Sequence, residues 1–168
     1  GFRDLATNGV DKPVLNVFRM LGMMSGTRVE VSGDLAYNYK TICDAGVRGE
    51  QTDVNALATK DKGHVAVLLW NYHDDDIQGI GSPAKLTIHG INGIKATVSH
   101  YRIDNEHSNS YAVWKKMGSP QNPTPEQYKI LEKSGQLEFL SKPKTVRIRN
   151  GELTMNMQLP RQAVSLIK

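Results

Sequence analysis

Between residues 12 and 24 the apolar positions Val14, Val17, Phe18, Leu21 and Met24 recur at intervals of three and four, the period of one helix face. Asp11 stands where an N-cap belongs and Pro13 suits a first turn, while Gly22 and the Ser25-Gly26 pair supply a stop. Leu15, Met20 and Met23 widen the apolar surface beyond a single stripe. This helix is therefore expected to be covered on more than one side.

Beyond it the period changes from three-and-four to two. Segments 27–32, 53–59, 64–73, 84–89, 95–103, 145–149, 152–158 and 162–167 read as strands separated by Gly, Asp, Asn and Pro. Val29 and Val31, Leu86 and Ile88, and Leu153, Met155 and Met157 alternate with polar residues, predicting one buried and one wet face. The run Val65-Ala66-Val67-Leu68-Leu69-Trp70 is apolar on both faces, which predicts a central strand with Trp70 in the core. Residues 90–93, GING, suit a hairpin turn and, with no helix start after them, not a phosphate loop. Two stretches interrupt the strands. Segments 108–117 and 124–134 have helical spacing, the second opened by Thr124 with Gln127 three residues on, as in a capping box.

Composition narrows the class. The length of 168 residues excludes a complete eight-stranded α/β barrel, which needs roughly 250 residues. No apolar run approaches the roughly 18 residues of a membrane span, so no membrane partner is expected. A net charge of +4 is small, and the densest basic stretch, Lys142, Lys144, Arg147 and Arg149, alternates with Val146 and Ile148 as on the solvent face of a strand. No nucleic-acid partner is expected. A single cysteine, Cys43, precludes an internal disulfide and neither demands nor forbids an oxidising compartment. Residues 1–11 show neither the basic start nor the apolar core of a signal peptide.

The polar side chains offer few sites for chemistry. His73-Asp74-Asp75-Asp76 supplies carboxylates, but Ile77 and Gln78 come next where an EF-hand alternates ligands and has a glycine, so a solvated loop is expected. His64, His73, His89, His100 and His107 lack the pairing of a helical zinc motif, and no metal or cofactor is expected. There is no Gly-x-Ser-x-Gly elbow, and Cys43 has no nucleophile signature.

The most informative stretch is 100–128, HYRIDNEHSNSYAVWKKMGSPQNPTPEQY. Its Tyr101, Arg102, Ile103, Asp104, His107, Asn109, Trp114, Gly118, Pro120, Pro123, Thr124 and Gln127 closely resemble a segment of the post-barrel β-sandwich in glycoside hydrolase family 39, the β-xylosidases and α-L-iduronidases. ATNGVDKPVLNVFRMLGMM resembles the last barrel helix with its lead-in, and VAVLLWNYHDDD a core sandwich strand with its loop. The three occur in family order. The resemblance implies that a (β/α)8 barrel preceding this region supplies two catalytic glutamates for a retaining mechanism, with carboxyl groups about 5–5.5 Å apart. It further implies that Glu30, Glu50, Glu106, Glu126, Glu132, Glu138 and Glu152 are not those catalysts. Arg3 matches in position an arginine that contacts substrate in the iduronidase branch, which makes it a candidate rim residue. A surface or helix-capping salt bridge is its alternative role.

The residues of the long motif have a reading of their own. Asp104 and His107 stand between a strand and a helix that Ser108 or Asn109 can cap. Tyr111 and Trp114, three apart, are expected to bury together; Gly118 ends the helix, and Pro120 and Pro123 stiffen the connection to the next one. Asp104, His107, Asn109, Trp114, Gly118, Pro120, Pro123, Thr124 and Gln127 are thus expected to be structural, with Trp114 as a sugar-stacking platform the sharper alternative.

These readings predict a mainly β fold: an antiparallel β-sandwich, residues 27–168, with a helical insertion at about 108–134 and residues 1–26 as the end of a barrel. The function expected is that of a non-catalytic companion of a β-xylosidase barrel acting on xylo-oligosaccharides. Two alternatives are a free-standing xylan-binding module and one half of an enzyme whose barrel is supplied in trans. The apolar side of helix 12–24 is expected to be bare, or covered by the barrel or by a second copy of the chain.

Overall fold

The computed structural model describes residues 4–76 and 79–168. The chain runs β1 (Ala6–Thr7), β2 (Val10–Asp11), α1 (Pro13–Gly22), β3 (Thr27–Val29), α2 (Tyr39–Ala45), β4 (Asp53–Asp61) and β5 (His64–Tyr72). It continues through β6 (Ser82–Ile88), β7 (Lys95–Ile103), α3 (Ser110–Lys116), α4 (Pro125–Ser134), β8 (Glu138–Arg147), β9 (Leu153–Leu159) and β10 (Val164–Ile167). The fold is mainly β and every strand pairing is antiparallel, as the period-two segments predict.

One sheet has six strands in the order β3-β4-β5-β10-β7-β8, and β6 pairs with β9 in a separate two-stranded ribbon. The six-stranded sheet is apolar on both faces. On one, Val67 and Leu69 of β5 join Ala58, Val98, Leu153, Leu159 and Ile167 in a core closed by the ribbon. On the other, Ala66 and Leu68 pack with Met20 of α1, Ile103 and Leu166. Because side chains alternate across a strand, a strand covered on both faces is apolar at every position. This explains the unbroken run at 65–70.

Several local expectations are corrected. Asp11 does not cap α1: Lys12 holds the N-cap position without a side-chain cap, and the Asp11 carboxylate instead pairs with Arg19 at 2.7 Å. Trp70 is only partly buried, because its indole N–H is committed to the Asp53 carboxylate (2.9 Å) and it stands outside the α1-facing cluster. Segment 27–32 is a strand only over Thr27–Val29, and of segment 145–149 only residues 145–147 are strand, as the tail of the longer β8. Lys142, Lys144, Arg147 and Arg149 are exposed around a buried Ile148, as the alternation predicts. The hairpin β1–β2 turns on Asn8 and Gly9, both at positive φ (50° and 82°), the geometry a two-residue Asn-Gly turn provides. Helix α2 buries none of its residues.

Candidate functional site

The motif 104–127 begins where β7 ends. Asp104, 8% exposed, folds the loop around one carboxylate oxygen: its Oδ1 accepts the Glu106 N–H (2.8 Å), the His107 N–H (2.9 Å) and His107 Nδ1 (2.9 Å). Burial is the largest influence on this carboxyl and raises its pKa. The hydrogen bonds from Glu106 and His107, with the charges of His107 and Arg102, outweigh it and hold the carboxyl below its usual value.

Behind Asp104 lies a buried polar chain. Arg102, 2% exposed, donates Nε to Ser165 Oγ (2.7 Å), Nη2 to the Gln158 carbonyl (3.1 Å) and Nη1 to Asp104 Oδ2 (3.4 Å). Ser165 Oγ also bonds His100 Nε2, 3.0 Å away, its hydroxyl having one proton and two lone pairs to share between the two partners. Burial, then the charges of Arg102, Lys144 and His107, push the His100 pKa down to about 4. Burial also lowers the pKa of Arg102, opposed by Asp104.

The insertion is capped largely as its residues predict. Asn109, of the two candidates, caps α3 by accepting the Ala112 N–H (2.9 Å). Ser108 instead receives the Glu138 N–H on its hydroxyl (2.9 Å), tying the insertion to β8. Gly118, at φ 86°, ends α3, and Thr124 and Gln127 form the full capping box on α4. Asn16 was not anticipated. Fully buried on α1, it donates Nδ2 to the carbonyls of Ser108 (3.0 Å) and Gly135 (2.8 Å). A polar residue one turn before Met20, on the apolar stripe, was the available signal.

The hairpin β1–β2 and the pair α3–α4 enclose a groove of about 420 Å³, walled by Val10, Tyr111, Trp114, Pro120, Pro123 and Tyr128. Trp114 donates its indole N–H to the Pro120 carbonyl (3.0 Å). Its ring stacks on Tyr111 with centroids 5.8 Å apart and planes at 29°, and the Lys115 ammonium sits 5.4 Å from the Tyr111 centroid. The two rings meet, but Tyr111 is 53% exposed and Trp114 only partly buried, which corrects the expectation of joint burial. Lys12, Asn8 and Gln121 add polar groups to the same wall. An aromatic face beside a few polar groups is the chemistry that holds a sugar ring.

Elsewhere, His73, Asp74 and Asp75 are not a merely solvated loop. Asp74 exchanges two bonds with Val47, its Oδ2 accepting the Val47 N–H (3.0 Å) and its own N–H reaching the Val47 carbonyl (2.9 Å). His73, 1% exposed, donates Nε2 to the Gly49 carbonyl (2.9 Å) and accepts the Asp75 N–H on Nδ1 (3.0 Å). Together they clamp the segment after α2 onto the end of β5. Among the described residues no three His, Cys, Asp or Glu side chains gather as metal ligands would. Glu30, Glu50, Glu106, Glu126, Glu132, Glu138 and Glu152 are all exposed. Arg3 lies outside the described residues.

Residues 1–149 match Glycosyl hydrolases family 39, and the chain belongs to that family. It is 24% identical over 168 residues to a Beta-xylosidase of Caldicellulosiruptor saccharolyticus, covering 99% of this chain and 31% of that protein. Among solved structures it is similar to a GH39 enzyme from Xanthomonas axonopodis pv. citri (TM-score 0.72, 16% identity, 95% of this chain and 30% of that one). It is also similar to a monomeric beta-xylosidase from Caulobacter crescentus CB15 (0.73, 16%, 94% and 30%). A bacterial orthologue of human α-L-iduronidase is matched equally well (0.73, 19%, 94% and 27%). The chain thus spans about 30% of the length of the relatives it matches.

Proposed function

We propose that this region is the accessory β-sandwich of a retaining β-xylosidase, bracing a (β/α)8 barrel that supplies both catalytic glutamates and cleaves xylo-oligosaccharides. The observation that carries the reading is the double-sided apolarity of α1. Met20 and Val17 face the sheet, while Val14, Phe18 and Leu21, at 45%, 56% and 39% exposure, form a second, bare stripe. A helix with an uncovered apolar stripe leaves area worth about 25 cal/mol per Å² unburied, and the two neighbours of a barrel's last helix would cover it. A symmetric dimer through the same stripe is the competing occupant.

The groove at Tyr111 and Trp114 fits the same reading. Its wall β1–β2 is the lead-in to α1, and in (β/α)8 barrels the loops leading into the helices surround the active site. Trp114 and Tyr111 would then border the substrate cleft, with Asp104, His107, Asn109, Gly118, Pro120, Pro123, Thr124 and Gln127 shaping the loop that presents them; Arg3 is proposed as a rim residue on the resemblance alone. The test is to mix the 168-residue chain with a separately produced barrel of its parent. Complex formation, with a gain in aryl β-xyloside hydrolysis or thermal stability, supports the reading; two non-interacting components overturn it. Saturable binding of xylo-oligosaccharides to the chain alone would favour the free-standing binding module instead.

A further inference from the structure

The dipeptide Asn-Gly occurs three times, at residues 8–9, 92–93 and 150–151. A glycine nitrogen, with no Cβ beside it, can attack the side-chain amide of the asparagine before it. The bond from Gly N to Asn Cγ forms and the Cγ–Nδ2 bond breaks; the glycine proton leaves with the amide as ammonia. Water then opens the cyclic imide to aspartate or to its β-linked isomer, so the balance needs no oxidant, reductant or cofactor. The glycine nitrogen reaches Cγ only when it lies on the Cβ side of the asparagine Cα–C bond, and ψ is the torsion that sets this.

Asn8 and Asn150 sit at φ 50° and 51°, followed by glycines at φ 82° and 75°. In this left-handed region ψ lies near +47°, which turns the glycine nitrogen to the side opposite Cβ. Each pair is also the tip of a two-residue hairpin: Thr7 is paired with Val10, and Arg149 exchanges both backbone hydrogen bonds with Glu152 (3.0 and 2.9 Å). Swinging either nitrogen round would undo the turn. Asn92 is different. Its φ is not positive, and it is exposed in the connection between β6 and β7. Among the described residues no hydrogen bond holds its side chain or the Gly93 N–H. Its neighbours are anchored: Ile91 donates its N–H to the Gly151 carbonyl (3.0 Å), and the Ile94 carbonyl accepts the Ile148 N–H (2.9 Å). We propose that Asn92 is a self-modifying site, converting in the folded chain to aspartate and its β-linked isomer ahead of Asn8 and Asn150, and that the isomer loosens the clasp between this connection and residues 148–151. The β-linkage adds a backbone atom between two fixed anchors, so both cannot keep their register.

Peptide mass spectrometry on the folded 168-residue chain, aged at mildly alkaline pH, tests this. The peptide carrying Asn92 is expected to exchange amide mass for acid mass at least about tenfold faster than those carrying Asn8 or Asn150, which must first open locally. In urea the three rates should converge. Asn8 or Asn150 converting as fast as Asn92 in the fold overturns the proposal, as does an Asn92 that stays intact there. Asn92→Gln should remove the mass change at that position. Hydrogen exchange at the Ile91 and Ile148 amides should quicken in the aged chain but not in aged Asn92→Gln, nor in Asn92→Asp, which carries the charge without the extra backbone atom. Unchanged exchange at both amides after conversion overturns the loosening, and quickened exchange in Asn92→Asp overturns the part given to the β-linkage.

Discussion

The side-chain amide nitrogen of Asn16 lies 3.0 Å from the carbonyl oxygen of Ser108, joining α1 to the start of the insertion across 92 positions of sequence. The same nitrogen satisfies the carbonyl of Gly135, the C-cap of α4, so one buried amide closes two otherwise orphaned acceptors.

Replacing Asn16 by Leu keeps the volume and removes both donors. Leaving buried carbonyls unpaired costs about 1–3 kcal/mol each, so Asn16→Leu is expected to lower the denaturation midpoint clearly. Hydrogen-exchange protection of α3 and α4 should fall with it. An unchanged midpoint would show that water replaces the amide at no cost.

The buried His100 makes stability depend on pH in a definite direction. Its pKa in the fold is about 4 against 6.5 for the free side chain, so between these values the unfolded chain binds a proton that the folded chain does not. Stability therefore falls as pH drops from about 6.5 towards 4, by at most about 1.4 kcal/mol per pH unit from this one group. The carboxyl of Asp104, lowered from 3.8, adds its loss below that window. Urea midpoints at pH 7 and pH 4.5 should differ, and His100→Gln, which retains a group able to hydrogen-bond Ser165, should flatten the difference.

Phe18 offers a separation of stability from docking. At 56% exposure on α1, Phe18→Ser should change the stability of the isolated chain by no more than about 0.5 kcal/mol, yet weaken its association with the proposed barrel. A large loss of stability in the isolated chain would mean that the ring packs within this region.

The fold is legible in the sequence wherever its signal is local. The strands β4, β5, β7 and β9 announce themselves because their alternation, or its absence at 65–70, mirrors which faces are covered. The capping box at Thr124 and Gln127 is equally local, two residues three apart. Helix α2 escapes notice because Tyr39–Ala45 carries no apolar stripe and buries nothing, leaving Asn38, whose side chain caps it through the Lys40 N–H, as its sole marker. The hairpin β1–β2 escapes it too, although Asn8-Gly9 is a strong turn signal, because its strands are two residues each. The polar chain His100–Ser165–Arg102–Asp104 joins positions up to 65 residues apart, and no spacing rule reaches that far. The groove at Trp114 is likewise made by three elements that meet only in the fold.

The clamp formed by Asp74 rests on a backbone that only glycine accepts easily. Gly46 adopts φ 72°, and a Cβ placed there would come within 2.1 Å of Asp74 Oδ2, the atom that receives the Val47 N–H. Gly46→Ala therefore combines the strain of a backbone at φ 72° and ψ −172°, a region essentially confined to glycine and costing about 1–3 kcal/mol, with displacement of the carboxylate from its partner. Val47 is 1% exposed, so the segment cannot shift without uncovering it. The expected outcome is faster hydrogen exchange from residue 39 to residue 50, with β7 and β10 unaffected. Asp74→Asn, which keeps an acceptor oxygen but loses the charge facing Arg48 at 3.6 Å, should show a milder version. If Gly46→Ala exchanged no faster than the parent sequence, the clamp would have to be held by His73 and Gly49 alone.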